Sequence, residues 1–548
     1  MGKYGGRVVV ALRAEPKTFN PVTAADNPSR TIIWNLTADL VHINRATQLT
    51  EAALAKSWSV SRDGRQFTLE LRRGLRFSDG WPMNADDVVF SFQAYQDEKI
   101  DSPQRELLMV GGKPVTVRKL DDYRVQFELA EPYAAAERLF DGFPILPRHL
   151  LEATYREGKL AQAWNLATPP NAIAGLGPFR LKEYRPGERI VLERNPFYWK
   201  EDSKGNRLPY FDELVFLFVT NEDAQVLRFR AGDTDLLSRF SAESFGDLEA
   251  QATEKGIKVN DLGPGLDYNF LFFNLNDLGA QGNPQIARKQ IWFRDLRFRQ
   301  AVSSALDRQG IVRLVYRGRG TMLWNPVSPG LKRWVDTKVQ QPARSLDRAR
   351  ELLRGAGYKW SGDGTLLDAQ GEPVDFSIVT SSSNAERMKI ATLIQNDLEQ
   401  LGMRVHVVPL EFRALIDRLF NTHEYEACVL GLGSGDADPN SQQNVWLSTG
   451  STHVWHLNEQ PPLPAWQAEI DHLMKEQLTT MRFEDRKRLY DRVQELLAEN
   501  LPIIPLVSPH VLAAAKAGIG NFQPTLLEDT VLWNVEEQFW QAQTGSAR

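Results

Sequence analysis

The sequence predicts an α/β fold divided into more than one lobe, and three observations carry that expectation. The chain has 548 residues, too many for one hydrophobic core, so two or three compact lobes follow from length alone. Phe376–Val379 reads as a strand, Ala385–Leu401 as a helix and Val405–Val408 as a strand, a βαβ order that calls for a parallel sheet. Leu214-Val215-Phe216-Leu217-Phe218-Val219 is a nearly continuous apolar run, as expected of a strand buried on both faces.

The remaining elements follow from local pattern. Val8–Leu12 reads as a buried strand ended by Glu15-Pro16, and Thr18-Phe19-Asn20-Pro21 as a polar turn. Phe67–Arg72 alternates apolar and polar residues after the hairpin signal Asp63-Gly64. Asn84 is placed to cap a helix beginning at Ala85, whose first-turn acids Asp86 and Asp87 suit the helix dipole. Arg189–Glu193 is a further strand, and from Phe298 the pattern turns helical. Ser345 should cap a helix that Gly355 stops. The short Pro-rich run Gln460–Pro464 reads as a surface loop.

Composition excludes several function classes. Hydrophobic residues make up 42% and charged residues 25%, the balance of an ordinary folded domain, and no apolar run approaches the roughly 20 residues a membrane helix needs. A net charge of -5 without basic blocks lacks the footprint of nucleic-acid binding. The lone Cys428 sits in an apolar run, as a buried structural thiol would, and excludes an internal disulfide. No signal segment is recognisable at Met1–Leu12.

The segment richest in chemistry runs from the apolar Tyr425–Leu430 into Gly431-Leu432-Gly433-Ser434-Gly435-Asp436-Ala437-Asp438-Pro439. Ligands of open α/β sheets bind beyond the carboxyl ends of strands, and glycine lets a ligand approach the backbone there. A desolvated carboxylate in that loop could hold an ammonium or hydroxyl, with a charge-assisted bond contributing about 1.5–3 kcal/mol. The alternative is a surface turn with two solvated acids. Asp436, Asp438 and Asn440 resemble the start of a calcium loop, but Ser441 and Leu447 stand where the turn glycine and bidentate glutamate belong. No serine has a nucleophile-elbow context, and the eight histidines show no zinc spacing. No cofactor, metal or catalytic residue is expected. Of the 14 tryptophans, Trp446 and Trp455 lie in polar stretches and could offer stacking faces to a ligand.

Four segments together resemble the peptide-binding family of solute receptors that serve ABC importers, family 5 of the extracellular solute-binding proteins. They are Ala53–Gly64 continuing through Phe67–Gly80 to Ala85–Ser91; Gly175–Phe179 followed by Glu193–Trp199; Arg297–Arg308; and Asn500–Leu506. The resemblance implies a bilobed periplasmic-binding-protein fold of the enlarged three-domain type, with a hinge crossed twice near 268–274 and 505–509. Lobe I would comprise 1–45, 174–270 and 508–548, with an extra domain at 46–173, and lobe II 271–507. It also implies closure around a small-molecule ligand, ABC permease subunits as partners, a monomer, no enzymatic activity, and a periplasmic or extracytoplasmic location with the signal segment absent from this chain. The acid that holds a peptide amine in the family stands one residue later here, at Asp436 in place of Gly435, and Leu432 replaces a common tryptophan. Arg387 resembles the position that holds a ligand carboxylate.

The ligand-binding candidates are therefore Asp436, Gly433, Ser434, Tyr268, Asn269, Arg387, Trp446 and Trp455. A short peptide is the expected solute. An oligosaccharide stacked on Trp446 or Trp455 is the alternative, and a hydrolase with Asp436 and Asp438 as paired carboxylates is a remote one. A receptor that signals through a partner without transport is a third possibility.

Overall fold

The computed structural model describes residues 2–278, 283–434 and 436–541; Gly435 lies outside the described residues. It divides into two compact units, the first comprising Met1–Leu262, Thr479–Met481 and Leu512–Arg548 and the second Gly263–Leu478 and Arg482–Val511. Apart from the short excursion at Thr479–Met481, the chain passes from the first unit to the second after Leu262 and returns after Val511.

In the first unit, β1 (Arg7–Leu12) is an interior strand, as its run of valines requires. The unit also contains β2 (Ala55–Val60), β3 (Gln66–Leu71), helix α1 (Ala85–Gln96), β4 (Thr116–Asp121), β5 (Arg124–Glu128), β6 (Phe179–Arg185), β7 (Arg189–Arg194), β8 (Glu213–Phe218) and β9 (Leu236–Ser238). β1 pairs in parallel with β8, Val8 opposite Leu214 and Val10 opposite Phe216, while β7 joins β8 and β6 antiparallel. Leu214 and Phe216 are fully buried and Val215 nearly so, so the apolar run is buried on both faces. A second sheet, in the order β2-β3-β5-β4, lies within residues 46–173. Its first hairpin turns at Gly64, whose φ of +70° favours glycine. Asn84 caps α1 reciprocally with Asp87, each side chain accepting from the other's backbone N–H.

The Gly175–Phe179 motif has a steric cause. A Cβ on Gly177 would lie 2.5 Å from the Leu36 carbonyl carbon and 2.6 Å from the Thr37 nitrogen, and one on Gly175 would lie 2.0 Å from the Leu36 oxygen. The Gly177 N–H donates to that oxygen at 3.0 Å, so only a bare backbone fits.

The second unit contains β10 (Asp267–Phe273), α2 (Leu296–Ala305), α3 (Arg308–Leu314), β11 (Gly320–Met322), α4 (Leu346–Gly355), β12 (Asp375–Ser381), α5 (Ala385–Glu399), β13 (Arg404–Leu410), β14 (Ala427–Gly433) and α6 (Phe483–Asn500). β15 (Ile503–Lys516) follows, its residues up to Val511 belonging to this unit. The sheet order here is β15-β10-β14-β12-β13. β12 runs parallel to both β13 and β14, and β10 is antiparallel to β14. The predicted βαβ unit is β12-α5-β13. Phe273, Phe293, Phe298 and Phe376 pack against one another beside it, with ring centroids 4.9 to 6.4 Å apart.

Three local expectations are corrected. Helix α4 is capped by Ser345 and ends at Gly355, as expected, but the left-handed turn falls at Gly357, with φ +93°. The helical region begins before Phe298, at Pro284–Arg294 and then Leu296. The strand expected to end at Leu430 runs on through Gly433, so Gly431 and Gly433 are strand residues rather than loop residues.

Candidate functional site

The parallel arrangement brings the carboxyl ends of β12, β13 and β14 to one edge of the second unit's sheet, where antiparallel β10 begins. Helix α5 starts there too, with Asn384 accepting from the Arg387 N–H at its first turn. Arg387 is thereby set over the sheet. Asn269 on β10 pairs with Gly431 on β14, and the Arg387 Nε–H donates to Asn269 Oδ1 at 3.0 Å. The guanidinium packs against the bare Gly431, where a Cβ would fall 2.2 Å from Nη2.

The Asn269 Nδ2 donates to the Tyr316 hydroxyl at 3.0 Å, and Tyr316 in turn hydrogen-bonds Glu386. Asn269 and Tyr316 are 6% and 2% exposed, so this chain of polar groups is buried and mutually satisfied. Burial, reinforced by the Glu386 carboxylate, holds the Tyr316 phenol protonated, its pKa raised well above the usual range. Burial also pushes the Arg387 pKa down, partly offset by Tyr316, Cys428, Glu386 and Asp267. The guanidinium Nε–H goes to a neutral amide rather than to a carboxylate. A partly buried cation held by neutral groups at strand ends is suited to take an anion.

The loop after β14 behaves differently. The Ala437 N–H donates to Asp436 Oδ1 at 2.6 Å, and the Ser434 hydroxyl donates to the Asp436 carbonyl oxygen while meeting Ser441 Oγ at 2.9 Å. Ser434 is buried and shapes the loop. Gly433, opposite Asp267, leaves space that a Cβ would take from the Asp267 carboxylate at 2.2 Å. Asp436 is half-buried at the loop surface.

Asp438 is not available for paired-carboxylate chemistry. It is 4% exposed, as is Arg486, and the two form a bidentate pair, Nη1 donating to Oδ2 at 2.8 Å and Nη2 to Oδ1 at 2.6 Å. The same carboxylate accepts from the Asn440 N–H at 2.9 Å.

Trp446 and Trp455 are corrections. Both are fully buried, 0% and 1% exposed, with ring centroids 6.0 Å apart and the Trp446 Nε1–H donating to Gln442. Neither presents a face for a sugar. Two buried glutamines surround Trp446: Gln442, which also accepts from Tyr490, and Gln467, which donates to the Trp446 carbonyl. The Tyr268 side chain likewise packs in the core, its hydroxyl without a hydrogen-bond partner and its backbone in the ladder opposite Leu432. Cys428 is fully buried and unbonded to sulfur, and burial raises its pKa. Tyr316 was missed by sequence reasoning because it meets Asn269 across 47 positions of sequence, with no local pattern to mark it.

The two units are of the mixed α/β type, with a parallel β14-β12-β13 arrangement in the second. The sequence pattern of bacterial extracellular solute-binding proteins, family 5 (middle region), matches residues 50–453, and the chain belongs to that family. It is 26% identical over 556 residues to the oligopeptide-binding protein AppA of Bacillus subtilis, covering 98% of this chain and 92% of AppA. It is 26% identical over 553 residues to a dipeptide-binding protein of Pseudomonas aeruginosa, covering 97% and 95% of the two chains. Among solved structures, the ABC-transporter substrate-binding protein CtaP of Listeria monocytogenes superposes with a TM-score of 0.79 at 22% identity, over 98% of this chain and 100% of that one.

Proposed function

We propose that this chain is the receptor of an ABC importer, acting outside the cytoplasmic membrane, that captures a short peptide and delivers it to a membrane permease. The observation that carries the reading is Arg387, held over Gly431 by the neutral Asn269. In this reading its terminal amino groups receive the peptide carboxylate, while Asp436, at the same edge of the sheet, receives the amine. The relatives named for oligopeptide and dipeptide binding support the choice of ligand. The burial of Trp446 and Trp455 argues against an oligosaccharide, and the Asp438–Arg486 pair argues against a carboxylate hydrolase.

The test is a thermal-shift screen of the whole chain against dipeptides, longer peptides and α- or β-linked oligosaccharides, since a ligand that binds only the folded state raises Tm with its concentration. Shifts confined to peptides support the reading. Shifts confined to sugars sink it.

A further inference from the structure

Three features of the Arg387 neighbourhood go beyond the arginine itself. First, the Arg387 Nε–H can only donate, so it fixes the Asn269 amide with Oδ1 toward the guanidinium. Second, that orientation leaves Asn269 Nδ2 needing an acceptor in a buried setting, and the Tyr316 oxygen supplies it at 3.0 Å. The Tyr316 hydroxyl donates its own O–H to Glu386, which neighbours Arg387 on the first turn of α5. Third, Gly431 shows no left-handed φ, so its backbone would accept any residue. What excludes a side chain is contact alone: a Cβ would stand 2.2 Å from Arg387 Nη2 and 2.8 Å from Asn269 Oδ1.

We propose that Gly431 and Tyr316 are positioning residues that set selectivity for a free carboxylate, Gly431 by leaving room for the guanidinium and Tyr316 by locking the amide that orients it. The inference rests on the peptide reading above. Alanine at 431 collides with the far end of a flexible side chain, so the sheet survives while the guanidinium swings away. Phenylalanine at 316 removes the acceptor for Asn269 Nδ2 and lets the amide turn, which points a donor at a donor.

The experiment titrates the dipeptide Ala-Phe and its C-terminal amide into the full chain and into Gly431→Ala, Tyr316→Phe and Arg387→Met by calorimetry, with melting curves confirming that each variant is folded. A structural defect weakens both ligands alike and leaves their ratio unmoved. The expected result is that the wild-type chain prefers the free acid by about tenfold or more, and that all three variants reduce the preference to about threefold or less. Wild-type preference retained in both Gly431→Ala and Tyr316→Phe, but lost in Arg387→Met, overturns the positioning roles and leaves the peptide reading intact. No preference in the wild-type chain, or no binding of either ligand, overturns the peptide reading and this inference with it.

Discussion

Removing Asp438 should cost the second unit more than any change to the loop around it. Asp438→Ala leaves Arg486, 4% exposed, with Nε–H donating to Gln477 Oε1 at 2.8 Å and the guanidinium 4.9 Å from the Trp334 ring, but with no carboxylate on its two terminal nitrogens. Stranding one member of a buried pair costs about 3–5 kcal/mol. For a unit of this size each kcal/mol moves Tm by about 2–4 °C, so a fall of about 6–20 °C is expected. Arg486→Met alone should cost a similar amount, because it strands the carboxylate instead. The double variant removes both charges and should be destabilised by less than the sum, with a coupling of about 2 kcal/mol or more. Urea unfolding followed by far-UV circular dichroism measures all four species. Single variants costing under about 1 kcal/mol, the range of a surface ion pair, or strictly additive effects, would refute the assignment of Asp438 as a buried structural anion.

Three further outcomes follow from particular contacts. Burial raises the Glu459 carboxyl, but the His453 and His456 imidazoles, 3.7 and 3.1 Å from its oxygens, outweigh it and bring the pKa down to about 2. A depressed carboxyl stabilises the fold above its unfolded value, roughly 4.3, and that contribution is lost as pH falls from there through about 2; denaturant titrations between these limits should show a weaker pH dependence in Glu459→Gln. Gly177→Ala should lower the melting temperature of the first unit, since its Cβ meets backbone at 2.5 and 2.6 Å rather than a movable side chain, and overpacking of this kind costs about 1–3 kcal/mol or more. Trp446→Ala should cost about 3–5 kcal/mol in urea unfolding and leave the acid-to-amide ratio of bound peptides unchanged.

Where local chemistry decides the structure, the sequence announces it. The valines of β1, the capping pair Asn84 and Asp87, and the strand-helix-strand order of β12, α5 and β13 each depend on residues a few positions apart, and each forms where expected. Arg387 was singled out only through the family resemblance, with no local pattern of its own. The pieces that could not be read are joined across long sequence separations: Asn269 with Tyr316 across 47 positions and Asp438 with Arg486 across 48. Trp446 and Trp455 misled for the same reason, because what covers Trp446 comes from distant segments, α6 and the helix Ala465–Thr479, through Tyr490 on Gln442 and Gln467 on the Trp446 carbonyl. The glycines at 431 and 433 also read as loop until pairing with β10 extended the strand through both.

The most direct measurement of the central claim is the affinity of one dipeptide for the wild-type chain and for Arg387→Met. The account predicts binding to the wild-type chain and a loss of about tenfold or more on removing the guanidinium, with melting curves confirming that the variant is folded. Equal affinity of the two proteins for the dipeptide would contradict it.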